Sequence, residues 1–191
     1  MGAAQSTDID NLIIGTGLSG LAMATELHRH GIPSTIITGP KRPEIPATTT
    51  SSLSVLAPIQ IEGWKARLDI IKHLEHYTRT HKMDVRKNVH LTNITHVPHG
   101  EKHGTLLIRW IVSTDAGTLF AKNIILAGRS GSLPQFNHFE TVNHEDAPAG
   151  LFVIGRTIGY GKAAIKEILA QVRRIVLILK RQHPTTAAHL G

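Results

Sequence analysis

Residues 9–38 change their period twice over a short span that few folds accommodate. Ile9 to Ile14, closing on Leu12-Ile13-Ile14, reads as a buried strand. It runs directly into Gly15-Thr16-Gly17-Leu18-Ser19-Gly20, after which apolar residues recur at helical spacing to about His30. Gly31 stands where a helix C-cap glycine belongs. Pro33 to Thr38 then reads as a second, β-branched strand. Strand, glycine turn, helix and strand make a βαβ unit, and such a unit requires a parallel sheet with helices packed on it.

The turn has a chemistry of its own. The first amides of a helix lack intrahelical partners and carry the positive end of the dipole, so a pyrophosphate that reaches them is held. Gly15 permits the tight turn after the strand, and Gly17 removes a side chain that would stand in the way of phosphates. Gly20 lets the helix pack close to the strand, while Leu18 and Ser19 bring the opening amides. A glycine pattern alone is weak. Framed by strand and helix, with a second strand at the expected distance, it predicts a Rossmann-type dinucleotide-binding domain.

The remaining chain extends that prediction. Residues 1–8 read as a disordered lead-in, and residues 39–61, rich in Pro, Thr and Ser, read as a long connection. Trp64, Leu68, Ile71 and Leu74 or Tyr77 then mark a helix by their spacing, with Glu75 and Arg79 placed as an i,i+4 pair. Residues 88–97, 105–113 and 118–126 read as three extended segments joined by short turns, hence an antiparallel β-meander laid onto the parallel sheet. A last strand, Leu151 to Ile154, meets Gly155. A final helix follows, with Ile165, Ile168, Leu169, Val172, Ile175, Val176 and Leu179 on its apolar stripe and Lys180-Arg181 at its C-terminus. One domain over residues 1–191 is expected, its last strand and helix falling within 151–181.

Composition removes several function classes. The 191 residues hold no cysteine, which excludes disulfides, zinc–thiolate sites and a redox-active cysteine pair. The net charge of +7 comes from scattered basic residues, and aromatics are only 4%, so no stacking platform for nucleic acid is present. Apolar runs such as Ile175 to Leu179 are too short to span a bilayer. No nucleic-acid or membrane partner is expected, and a cytoplasmic location fits. The start Met1-Gly2-Ala3-Ala4-Gln5-Ser6 matches the loose myristoylation pattern, but its residues are common ones. Among the thirteen histidines, His73 and His76 lie three apart on the helix, and His96, His99 and His103 gather near a hairpin. No carboxylate spacing beside them matches a metal signature, so no metal is expected. Ser130 and Ser132 lie outside any nucleophile-elbow pattern.

Asn11-Leu12-Ile13-Ile14-Gly15-Thr16-Gly17-Leu18-Ser19-Gly20-Leu21-Ala22 resembles the opening signature of FAD-dependent pyridine-nucleotide oxidoreductases and flavin monooxygenases. Lys122-Asn123-Ile124-Ile125-Leu126-Ala127-Gly128 resembles that superfamily's strand ending in Ala-Thr-Gly, and Gly150-Leu151-Phe152-Val153-Ile154-Gly155 its terminal flavin motif. The order of the three segments is much more specific than any one of them. The resemblance implies FAD along the sheet edge, with its pyrophosphate at Gly15, Gly17 and Gly20. It also implies that Ile94 lies near the adenine through its backbone, that Ala127 and Gly128 line the site, and that Gly155 faces the ribityl chain and flavin. The implied activity is that of an oxidoreductase, oxidase or monooxygenase-like, acting on a small-molecule substrate.

Three departures qualify the likeness. The acidic residue expected at the end of the second strand is replaced by Gly39, followed by Pro40, Lys41 and Arg42. Lys41 and Arg42 suit a 2′-phosphate, which keeps an NADP-dependent reductase open as an alternative. Arg156 stands where the terminal motif normally continues with Asp, and an arginine there suits the pyrophosphate. Only residues 129–149 occupy the interval where the superfamily inserts its NAD(P)H domain. Reducing equivalents then come from substrate, from free NAD(P)H or from a partner protein. A non-catalytic subunit working through a reductase or homo-oligomer partner is the remaining alternative.

Overall fold

Strand β1 (Thr7–Ile14) carries apolar side chains on both faces, and each face is buried against a different layer. The computed structural model describes residues 7–39, 57–102, 105–127, 149–155 and 162–182. After β1 come α1 (Leu18–Arg29), β2 (Thr35–Thr38) and α2 (Ala57–Thr80). The strands β3 (Asp84–Lys102), β4 (Thr105–Thr114), β5 (Gly117–Ala127) and β6 (Leu151–Ile154) follow, and then α3 (Lys162–Gln182).

In space the parallel strands run β3-β2-β1-β5-β6, and β4 joins β3 to β5 antiparallel to both. The chain leaves β1 toward β2 on one side, while β5 lies on its other side. The C-terminal ends of β1 and β5 therefore flank a topological switch point, where open α/β sheets form a ligand crevice.

Alternation along the strands separates two cores. Ile13, Ile36, Ile125, Phe152 and Ile154 face the helices, packing on Leu21, Met23 and Leu27 of α1 and on Ile168, Val172, Val176 and Leu179 of α3. Leu12, Ile14, Ile37, Ile124 and Leu126 face the meander, against Leu91, Trp110, Val112 and Leu119. Each fully buried side chain of this size contributes on the order of 2 kcal/mol relative to exposure. The described helices thus cover one face of the sheet and the meander covers the other. The flanking helices expected from the sequence are the helical half of a three-layer arrangement.

Several boundaries differ from expectation for local reasons. β1 begins at Thr7, because Thr7 and Asp8 pair with Leu119 and Phe120. α2 starts at Ala57 within the stretch expected to be connection, and β3 starts at Asp84 because it first pairs in parallel with β2. Leu68, expected on the apolar stripe of α2, is exposed, while Ile70, Ile71 and Leu74 pack on the core. Glu75 pairs with Lys87 at 2.9 Å, and Arg79 Nε donates to the Glu75 main-chain oxygen instead of to its carboxylate.

Gly31 does what its position suggests. It takes φ +68 after α1, its amide donates to the His28 oxygen (2.9 Å), and Ile32 N donates to the Leu27 oxygen (3.0 Å). This pair of bonds is a Schellman closure, and buried Ile32 and Leu27 make its apolar contact. Between β1 and β5 a buried amide pair satisfies itself. Asn123 Nδ2 donates to Asn11 Oδ1 at 3.0 Å, and Asn11 Nδ2 donates to the Pro33 oxygen at 2.8 Å. Among the described residues no helix is long and apolar enough to cross a membrane.

Candidate nucleotide-binding site

The turn after β1 opens at the switch point, and its three glycines have three different surroundings. Gly15 takes φ +122, and its amide donates to the Ile37 oxygen at 2.9 Å, tying the turn to the end of β2. A Cβ on Gly15 would stand 2.2 Å from the Ala127 oxygen. A Cβ on Gly20 would stand 1.8 Å from the Gly15 oxygen and 3.4 Å from the Ala127 Cβ. Gly15, Gly20 and Ala127 therefore form one close contact between the first turn of α1 and the ends of β1 and β5. At Gly17 the surroundings reverse. It is exposed, and an added Cβ meets no protein atom within 4 Å.

Gly17 is also the N-cap of α1, with φ −83 and ψ −171 and no side-chain cap. The first intrahelical bond runs from Leu21 N to the Gly17 oxygen at 3.0 Å, so the amides of Leu18, Ser19 and Gly20 precede the ladder. No acidic residue occupies the first turn to offset the dipole. The side chains of Leu18 and Ser19 are buried, so these residues bring main chain to the turn's mouth. Uncapped amides beside space that only a missing side chain leaves open fit a phosphate-bearing ligand.

The other residues singled out in the sequence fall around this turn unevenly. Ala127 closes β5, paired with Ile154 of β6. Gly155 follows β6 directly, but its amide is taken, donating to Gln171 Oε1 of α3 at 2.9 Å. Ile94 is half-buried and pairs with Val112 in the meander, beyond the point where β3 leaves β2. Gly39 follows β2, and a Cβ there would meet nothing within 4 Å. Arg42, Gly128 and Arg156 lie outside the described residues, as do Lys41 and His103.

One residue at this edge carried no signal in the sequence. β3 holds register with β2 through Ile37↔Arg86 and then jumps to Thr38↔His90, so residues 87–89 bulge out. His90 is thereby placed at the end of β2, with Nδ1 3.3 Å from the Gly39 oxygen. Its main chain is held on the other side by the β4–β5 turn: His90 N donates to Asp115 Oδ1 (2.8 Å), and Asp115 N donates to the His90 oxygen (3.1 Å). The histidines grouped in the sequence do something else. His73 Nδ1 contacts the Asp69 oxygen on its own helix, and the His96 ring lies 5.1 Å from that of Trp110. Among the described residues no three His, Asp or Glu side chains stand together as a metal site.

No protein-family profile and no curated protein matches the chain. Solved structures do. THI4 from Thermovibrio ammonificans is similar over 92% of this chain and 91% of its own, at TM-score 0.56 and 12% identity. A flavin monooxygenase from Stenotrophomonas maltophilia (TM-score 0.39, 15% identity) covers 63% of this chain, which spans 38% of that protein. A thioredoxin reductase from T. acidophilum (TM-score 0.40, 19% identity) covers 64%, and the chain spans 36% of it. The likeness to THI4 runs over nearly the whole length of both chains. By fold, the chain is a Rossmann-type α/β domain with a β-meander, built like that of THI4 from Thermovibrio ammonificans.

Proposed function

We propose that the chain is an FAD-binding flavoprotein of the oxidoreductase kind, holding the FAD pyrophosphate on the first turn of α1. One observation carries this reading. At the switch point between β1 and β5 the opening amides of α1 have no side-chain cap, and an added Cβ at Gly17 would meet no protein atom within 4 Å. The tight contacts of Gly15 and Gly20 with Ala127 hold that turn against the sheet, so the amides are set before a ligand arrives. The three ordered motifs point to a flavin in place of a simple nicotinamide.

When bound, the isoalloxazine would supply hydride or single-electron transfer. The chain's own residues bind, orient and exclude water. Gly17, Leu18, Ser19 and Gly20 would hold the diphosphate through the main chain, and Gly15, its amide tied to the Ile37 oxygen, would set the turn that presents them. Ala127, at the end of β5, fixes how closely the turn approaches the sheet. Gln171 holds the Gly155 amide and so fixes where the chain leaves β6. The substrate is a small molecule, and the reductant is substrate, free NAD(P)H or a partner protein.

The test is the spectrum of the protein as isolated and after incubation with FAD and gel filtration. Flavin absorbance co-eluting in stoichiometric amount is expected. Colourless protein that also rejects added FAD overturns the proposal.

A further inference from the structure

A dinucleotide site of this architecture needs an acceptor at the end of β2 for the adenosine ribose hydroxyl, and an acidic side chain is the usual solution. Here that position is Gly39, which has no side chain to offer. The structure brings a different residue to the same place. The bulge at residues 87–89 aligns His90 with Thr38, the last residue of β2. Two bonds between the His90 main chain and Asp115, one to its carboxylate and one from its amide, then clamp His90 from the meander side. Bulges beside functional sites commonly serve to re-aim one side chain, and His90 is the residue this one presents.

The contact with Gly39 decides what the imidazole can do. A carbonyl oxygen only accepts, so Nδ1 must carry the proton in the 3.3 Å contact with the Gly39 oxygen. In neutral imidazole a protonated Nδ1 leaves Nε2 as a bare acceptor. We infer that His90 is the ribose-recognition residue of this site, its Nε2 accepting the adenosine 2′-hydroxyl in place of the missing carboxylate. Gly39 takes part through its main chain: its carbonyl sets the tautomer. The class of ligand recognised is an adenine nucleotide with an unmodified ribose. A 2′-phosphate brings acceptors and negative charge to Nε2, where a donor would be needed.

This inference rests on the proposed nucleotide site, and the test separates the two. ADP and 2′-deoxy-ADP are titrated calorimetrically into the wild-type chain, the His90→Phe variant and the His90→Ala variant, with FAD as a control. Phe keeps the ring's volume without a nitrogen; Ala serves should Phe not fold. Wild type is expected to bind ADP about threefold to tenfold more tightly than 2′-deoxy-ADP, the worth of one neutral hydrogen bond. In the variants the two nucleotides should bind within twofold of each other. Ring ¹⁵N shifts of wild-type His90 should report the Nδ1-protonated tautomer. Equal binding of the two nucleotides by wild type, or discrimination that survives in a folded variant, overturns the role of His90 and leaves the site standing. Failure of wild type to bind ADP and FAD alike overturns both.

Discussion

Replacing Gly20 by Ala sets two effects of opposite sign against each other. Inside a helix, Ala is favoured over Gly by about 1 kcal/mol, so propensity alone predicts a more stable protein. The new Cβ, however, would stand 1.8 Å from the Gly15 oxygen, where such contacts ordinarily begin near ~3.3 Å. The shortfall of about 1.5 Å has to be met by main chain, because the obstructing atom belongs to a backbone pinned by the Gly15–Ile37 bond. Overpacking typically costs about 1–3 kcal/mol, and a rigid backbone obstacle puts this site at the upper end. Subtracting the propensity gain leaves a net loss of about 2 kcal/mol. For a domain of this size that lowers Tm by roughly 4–8 °C, read by circular dichroism or calorimetry. A Tm equal to wild type or above it would refute the reasoning, since it would mean that the helix does not press on the turn.

Gly17→Ala is the counterpart, because its Cβ meets no protein atom. An N-cap change of this kind should cost under about 1 kcal/mol, while FAD affinity by fluorescence titration falls by about tenfold or more. Gly31→Ala places a Cβ at φ +68 and should lower stability by about 1–2 kcal/mol in urea titration, leaving FAD affinity unchanged. Asn123→Ala removes the donor to the buried Asn11 Oδ1 and should cost about 1–3 kcal/mol, measured as a lower urea midpoint.

What the sequence made legible was whatever depends on local period and turn chemistry. The strand–glycine–helix–strand unit, the meander and the terminal strand and helix each declare themselves within a few residues of chain. The Schellman closure at Gly31 does so as well. What stayed illegible depends on pairing at a distance. The first residues of β3 form a strand because β2 lies beside them, 49 residues away in sequence, as the Thr35–Asp84 bond shows. The same pairing produces the bulge that carries His90 to the end of β2, and no period in residues 84–90 announces it. Glu75 likewise faced two cations, and the tertiary one, Lys87, took its carboxylate. At the glycine turn the residue types were read from the motif. The division of labour was not, because only coordinates show that Gly15 and Gly20 are held by contact and Gly17 by open space.

The amide resonances of the ¹⁵N-labelled protein, followed while FAD is added, put the central claim to its most immediate test. Gly17, Leu18, Ser19 and Gly20 should shift together and saturate at one equivalent, while Ile108 to Val112 of β4 stay in place. Saturating FAD that leaves those four amides unmoved would contradict it.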